Sequence, residues 1–153
     1  MTPRTQLARF IAKFNPGVAR LARAVLGRMR AKMPTANLLV YDNYNALAIG
    51  FCANERAYDS VFSIAVFPRG VSLFFFYGVD LPDPLKLLTG SGNMGRHIRL
   101  ESPSSLEVPG VRTLMRVALK RADPPLPKKG RGRIVIKSIS KKQRPRRLAA
   151  RRA

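Results

Sequence analysis

A chain of 153 residues with 46% apolar side chains can bury one hydrophobic core and is too apolar for a disordered polymer. Its 29 Lys and Arg against 8 Asp and Glu give a net charge of +21, which favours polyanionic partners over cationic ones. A single cysteine, Cys52, excludes an internal disulfide, and a single histidine, His97, leaves every His-based mechanism one candidate. The longest apolar run, residues 71–79, is too short to span a bilayer, and Pro68-Arg69-Gly70 blocks its extension. The expectation is a cytoplasmic protein with no integral membrane segment and no secretory signal.

In chain order, Leu7, Phe10, Ile11 and Phe14 form one apolar stripe of a short helix. Asn15-Pro16 reads as an N-cap with proline at the first helical position. A second helix runs to about Met33, with Val18, Leu21, Val25 and Met29 on its buried face and Pro34 beyond its end. The period then shortens. Residues 38–41 and 46–51 are strands joined by a turn at Asp42-Asn43-Tyr44-Asn45, and residues 61–67 and 71–77 are a second hairpin around Pro68-Arg69-Gly70. No helix-length segment separates these strands, so the sheet is expected to be antiparallel.

Residues 83–90 are predicted as a short helix, with Asp83 as cap, Pro84 first and Gly90 as stop. Residues 96–100 alternate as a strand. Pro109 opens a last helix whose stripe is Val111, Leu114, Met115, Ala118 and Leu119, with Arg112, Arg116 and Lys120 on the wet side. The pattern Gly90-x-Gly92-x-x-Gly95 looks like a dinucleotide fingerprint, but the predicted order is helix, glycines, strand. The phosphate mechanism needs strand, glycines, helix, so Gly90 reads as a helix stop and Gly92 and Gly95 as turn positions at positive φ. Past the last helix, residues 133–139 are too apolar for a free tail and are predicted to dock as an extra edge strand guarded by lysine and arginine.

The run "YGVDLPDPLKLLTGSGNMGRHIRLES" resembles the YdhG-like family of domains of unknown function. In that family a strand leads through an Asp-Pro short helix to a Gly-x-Gly turn and an Arg-His strand. The resemblance extends over residues 5–123, with residues 124–153 as a basic C-terminal extension. It implies an α+β domain, and frataxin-like iron-carrier proposals for some members make an intracellular iron carrier the alternative function. Iron would need clustered oxygen ligands, and the first two predicted helices contain no Asp or Glu.

The fold expected is thus α+β. An antiparallel five- to six-stranded sheet has two N-terminal helices, a short helix before the last core strand and one C-terminal helix. Residues 1–41 hold eight basic and no acidic residues, residues 42–123 nine basic and eight acidic, and residues 124–153 twelve basic and none acidic. Two cationic arms therefore bracket a nearly neutral middle. In the C-terminal arm Lys141, Lys142, Arg144, Arg146, Arg147, Arg151 and Arg152 are candidates for phosphate contacts. No aromatic lies among them, so base-specific reading is not expected, and a solvated tail that only aids solubility is an equal reading. Arg96, His97 and Arg99 after the glycine turn form a candidate pocket for a small anion. For Asp80 and Asp83, turn and cap roles are simpler than a shared cation. Cys52 and His97 form a catalytic pair only if the fold brings them together. The amphipathic first helix has a membrane-surface reading, but core packing is the commoner cause of such a stripe. The leading expectation is a non-enzymatic protein whose basic arms engage a polyanion such as nucleic acid, with no metal or other cofactor.

Overall fold

The structure is a computed structural model, described over residues 1–149. Thr2 starts helix α1 (Pro3–Ala12) by accepting the Thr5 N–H on its hydroxyl, and Leu7, Phe10 and Ile11 are its buried stripe. Pro16 opens helix α2 (Pro16–Lys32), and Asn15 holds the cap position with no side-chain capping bond. Ala19, Ala22, Val25, Leu26 and Met29 face the core, while Val18 and Leu21 are only half-buried at its rim. Helix α3 (Pro109–Arg121) buries Val111, Leu114 and Met115.

Strands β1 (Asn37–Asp42), β2 (Leu47–Cys52), β3 (Ser60–Phe67), β4 (Gly70–Phe75), β5 (Arg96–Leu100) and β6 (Ile134–Ile139) form one sheet in the order β5-β4-β3-β2-β1-β6. The four neighbouring pairs from β5 to β1 are antiparallel, as expected. β6 is not: it docks at the β1 edge in parallel, with Leu38 opposite Ile134 and Val40 opposite Ile136. The sheet is therefore mixed. A parallel neighbour needs a long crossover, and the α3 excursion with the segment after it supplies one that the local hairpin spacing does not reveal.

Alternate residues of each strand, among them Val40, Ile49, Ile64, Leu73 and Phe75, join the buried stripes of all three helices in one core cluster. Buried Leu39 and Cys52 lie outside that cluster, on the opposite face of the sheet. The architecture is a layer of three helices on one face of a six-stranded sheet. Single 3-10 turns at Ala57–Asp59, Gly78–Asp80 and Pro103–Glu107 join the strands and lead into α3.

The predicted short helix at 83–90 does not form. Too few residues lie between its prolines and Gly90 to repay helix nucleation. Instead the Asp83 carboxylate accepts the N–H groups of Leu87 and Leu88 at 2.8 and 2.9 Å, and Lys86 adopts φ 54°. Leu87 and Leu88 then pack on the core, and Thr89 bridges to His97. The glycine pattern accordingly follows an irregular loop. Gly92 has the expected positive φ of 97°, whereas Gly95 is required for space: a β-carbon there would collide with the Phe74 ring.

Gly132 governs β6 docking, because a β-carbon there would overlap the Ala36 carbonyl while the Gly132 N–H bonds the Pro34 oxygen at 2.9 Å. Gly132→Ala is expected to cost about 1–3 kcal/mol, the usual range for overpacking. Hydrogen exchange should show the loss confined to β6 and its β1 partner.

Candidate polyanion interface

The three helices share a composition that none of them needs for helicity. α1 carries Arg4 and Arg9; α2 carries Arg20, Arg23, Arg28, Arg30 and Lys32; α3 carries Arg112, Arg116, Lys120 and Arg121. No Asp or Glu stands in any of them. Their apolar stripes face the sheet, so these cations are turned to the outer side of one layer, and all but the half-exposed Arg30 are exposed. Arg121 is the exception in direction, its guanidinium donating to the Asp80 carbonyl at 2.8 Å in a cleft beside α3. The contribution of α3 is masked along the chain, because its four cations share residues 42–123 with carboxylates that lie elsewhere in the fold. Those carboxylates sit in strand ends, loops and short turns. Glu107, just before α3, is the one that reaches the layer: Lys32 Nζ lies 2.9 Å from its Oε1. That hydrogen bond, with the charges of Lys32, Arg112 and Arg28, holds the Glu107 carboxyl below its usual range.

Where α2 ends against α3 the layer is cleft. Lys32, Arg112 and Arg116 rim a groove of about 190 Å³ floored by Met33, Met115 and Leu119.

The C-terminal candidates divide. Lys141 and Lys142 are exposed and make no ion pair among the described residues. The Arg144 guanidinium lies 5.5 Å from the centre of the Tyr44 ring. Arg147 is exposed, but its guanidinium donates to the Lys13 and Ala12 carbonyls at 3.1 and 3.4 Å, satisfying acceptors at the negative end of α1. Arg146 corrects the sequence expectation outright. Its side chain is 5% exposed and sits on the fully buried Asp42, with Nη2 2.8 Å from Oδ1. A second bond runs from Nη2 to the Asn43 carbonyl, and the guanidinium lies 5.6 Å from the Phe14 ring centre. Arg146 is therefore structural and closed to phosphate. Arg151 and Arg152 lie outside the described residues.

Asp42 also receives Lys13 Nζ at 2.7 Å on its other oxygen, and Gln143 bonds both the Lys13 ammonium and the Asp42 backbone carbonyl. Burial alone would push the Asp42 carboxyl up. Hydrogen bonds from Lys13, Gln143 and Arg146, with the Lys13 charge, outweigh it and hold the carboxyl below its ordinary value.

The proposed anion pocket at the glycine turn does not assemble. Arg96 belongs to the core-facing register opposite Phe75, and its guanidinium donates to the Gly92 and Gly95 carbonyls. His97 and Arg99 point to the other face, and Arg99 is held by Glu101 and the Arg69 carbonyl. Cys52 and His97 share that face but stand on β2 and β5, three strands apart, or roughly 14 Å at the usual strand spacing. Cys52 is buried, its thiol directed at Asn54 Oδ1 and the Arg56 carbonyl.

Beyond these candidates, a cleft of about 320 Å³ opens at the end of the sheet beside α3. Val61 and Phe75 line its apolar part, with Tyr58, Tyr77, Asp80 and Asp123 among its polar residues. Its residues are scattered from position 58 to 123, so no local spacing announced it. Among the described residues no group of three or more His, Cys, Asp or Glu is placed to hold a metal, and no helix is long and apolar enough to cross a membrane. Comparison with protein-family models, curated proteins and solved structures finds no match for the chain.

The Asp42 cluster has a pH signature. A carboxyl held below its unfolded value of about 3.9 contributes stability that is complete above that value and is lost as pH falls through the depressed folded value. In Asp42→Asn this contribution is absent, so urea unfolding should show a lower stability at pH 7, by about 3–5 kcal/mol for a broken buried pair, and a flatter loss below about pH 5.

Proposed function

We propose that the protein binds nucleic acid through the phosphate backbone, using the outer side of the helical layer as its main contact surface. The observation that carries this reading is the set of eleven basic and no acidic side chains on the three helices that cover one face of the sheet. Such a surface displaces condensed counterions from a phosphate chain, which gives affinity that is steeply salt-dependent and indifferent to sequence. Lys141 and Lys142 add to it from the tail, while Arg146 and Arg147 hold the tail in place. No catalytic step is part of the proposal, since the Cys52–His97 pair lacks the proximity that nucleophilic catalysis requires.

The iron-carrier alternative, implied by the YdhG-like resemblance alone, has less to rest on. Hard oxygen ligands would have to converge on the metal, and although Asp59, Asp80 and Asp123 line one cleft, no three such residues are placed to hold an ion among the described residues. Kinship with YdhG-like domains is itself a proposal, carried by the run from Tyr77 to Ser102, in which the expected Asp-Pro helix is replaced by a loop.

Fluorescence anisotropy of labelled oligonucleotides across a salt series tests the function. If about five phosphates are neutralised, the log–log slope on duplex should be near −4 to −5, and Arg20→Ala with Arg23→Ala should flatten it by about 2. Lys141→Ala with Lys142→Ala measures the tail separately without disturbing Arg146. Absence of binding by micromolar protein at low salt would sink the reading.

A further inference from the structure

The groove at the α2–α3 junction combines two chemistries that a plain phosphate-binding surface does not need together. Its rim is cationic through Lys32, Arg112 and Arg116, and its floor is Met33, Met115 and Leu119. Arg112 and Arg116 are one helical turn apart on α3 and so share a side. Lys32 faces them from the last turn of α2. At about 190 Å³ the space is below the 300–1,000 Å³ range of sites that enclose a drug-sized ligand. It is suited instead to one flat ring whose charged neighbours stay outside.

We infer that this groove seats a single unstacked nucleobase, with the flanking phosphates on Lys32, Arg112 and Arg116, so that the protein prefers single-stranded to double-stranded nucleic acid. The inference rests on the nucleic-acid reading above and narrows it to one class of strand. A duplex offers the layer its phosphates but keeps its bases paired, leaving the half-buried Leu119 and the small exposed edges of Met33 and Met115 uncovered. A single strand can turn a base out and cover that floor while making the same ionic contacts. Charge complementarity favours this occupant over a second copy of the chain, because a copy would bring the same cations to the same groove. Methionine floors adapt to different rings, and no hydrogen-bonding side chain other than the cations lines the groove, so the seat discriminates strandedness and not base identity.

Glu107 sharpens the assignment. It neutralises Lys32, a rim residue of the groove, and must be displaced or outcompeted by a phosphate that pairs with Lys32. Glu107→Gln is therefore expected to raise affinity for single strand and duplex alike, which tests the phosphate contact at Lys32 separately from the base seat.

The test compares an unstructured single strand and a duplex of equal phosphate number by anisotropy at one salt concentration. Wild-type protein should bind the single strand about fivefold more tightly or better, as expected for covering a small apolar floor, and Leu119→Ala should erase most of that preference while leaving duplex affinity intact. Should Leu119→Ala lose its helical circular dichroism, Arg112→Gln with Arg116→Gln decides. It must weaken the single strand more than Arg20→Gln with Arg23→Gln does, although the charge removed is the same. Equal affinity of the wild type for both probes, or equal losses from the two double variants, overturns the base seat and leaves the backbone reading standing. Binding of neither probe overturns both.

Discussion

Asp42 is fully buried at the end of β1, and two cations from opposite ends of the chain converge on it, Lys13 from α1 and Arg146 from the tail. An isolated carboxylate at that position would be too costly to keep ionised. The arrangement therefore demands that α1, the β1–β2 turn and residues 140–147 be assembled together. Arg147 extends the same junction by taking the last carbonyls of α1, and Gln143 bridges strand and helix. The junction is not saturated. Arg146 Nε and Nη1 are buried with no hydrogen-bond partner among the described residues, so much of its hold comes from the single Nη2 edge and from Phe14. The tail's charges thus serve two purposes, some closing the fold and some facing solvent.

The charge distribution becomes intelligible once the fold separates it in space. Ten of the eleven helix cations cover the helical layer, while Arg121 joins Asp59, Asp80 and Asp123 in lining the cleft at the end of the sheet. Like charges on neighbouring helices repel and reduce stability, and the apolar core beneath has to offset that cost. Helix macrodipoles relieve part of it, because Arg30 and Lys32 close α2 and Lys120 and Arg121 close α3 at their negative ends. A polyanion that bound only the folded layer would relieve the remainder and stabilise the protein by mass action.

Much of this architecture was legible in the sequence. Helical periodicity located α1, α2 and α3, period-two runs with turn residues located the two hairpins, and the isoleucines of 134–139 pointed to a docked strand. The features that escaped depend on distant partners. Whether β6 runs parallel or antiparallel is decided by where the chain returns after α3, not by its own residues. The loop at 83–90 has every sign of a short helix, but Asp83 bonds Leu87 and Leu88 so that both reach the core and Thr89 reaches His97. Arg146 looks like any tail arginine, since its carboxylate lies 104 residues away. The cationic layer is only half visible in the sequence because the α3 cations share their stretch of chain with carboxylates, whereas a binding partner meets charge across a surface.

Pairing the last strand with the first has a consequence for synthesis. The β1 edge carries unpaired backbone groups on Leu38 and Val40 until Ile134 and Ile136 have been made, 96 residues later in a chain of 153. During that interval β1 and its hairpin are an open edge of apolar residues, the kind of template on which nascent chains associate. The same interval leaves the Asp42 carboxylate without its tail guanidinium. Ribosome-bound intermediates would then be held apart chiefly by their N-terminal positive charge, and closure of the sheet would coincide with completion of its electrostatic lock.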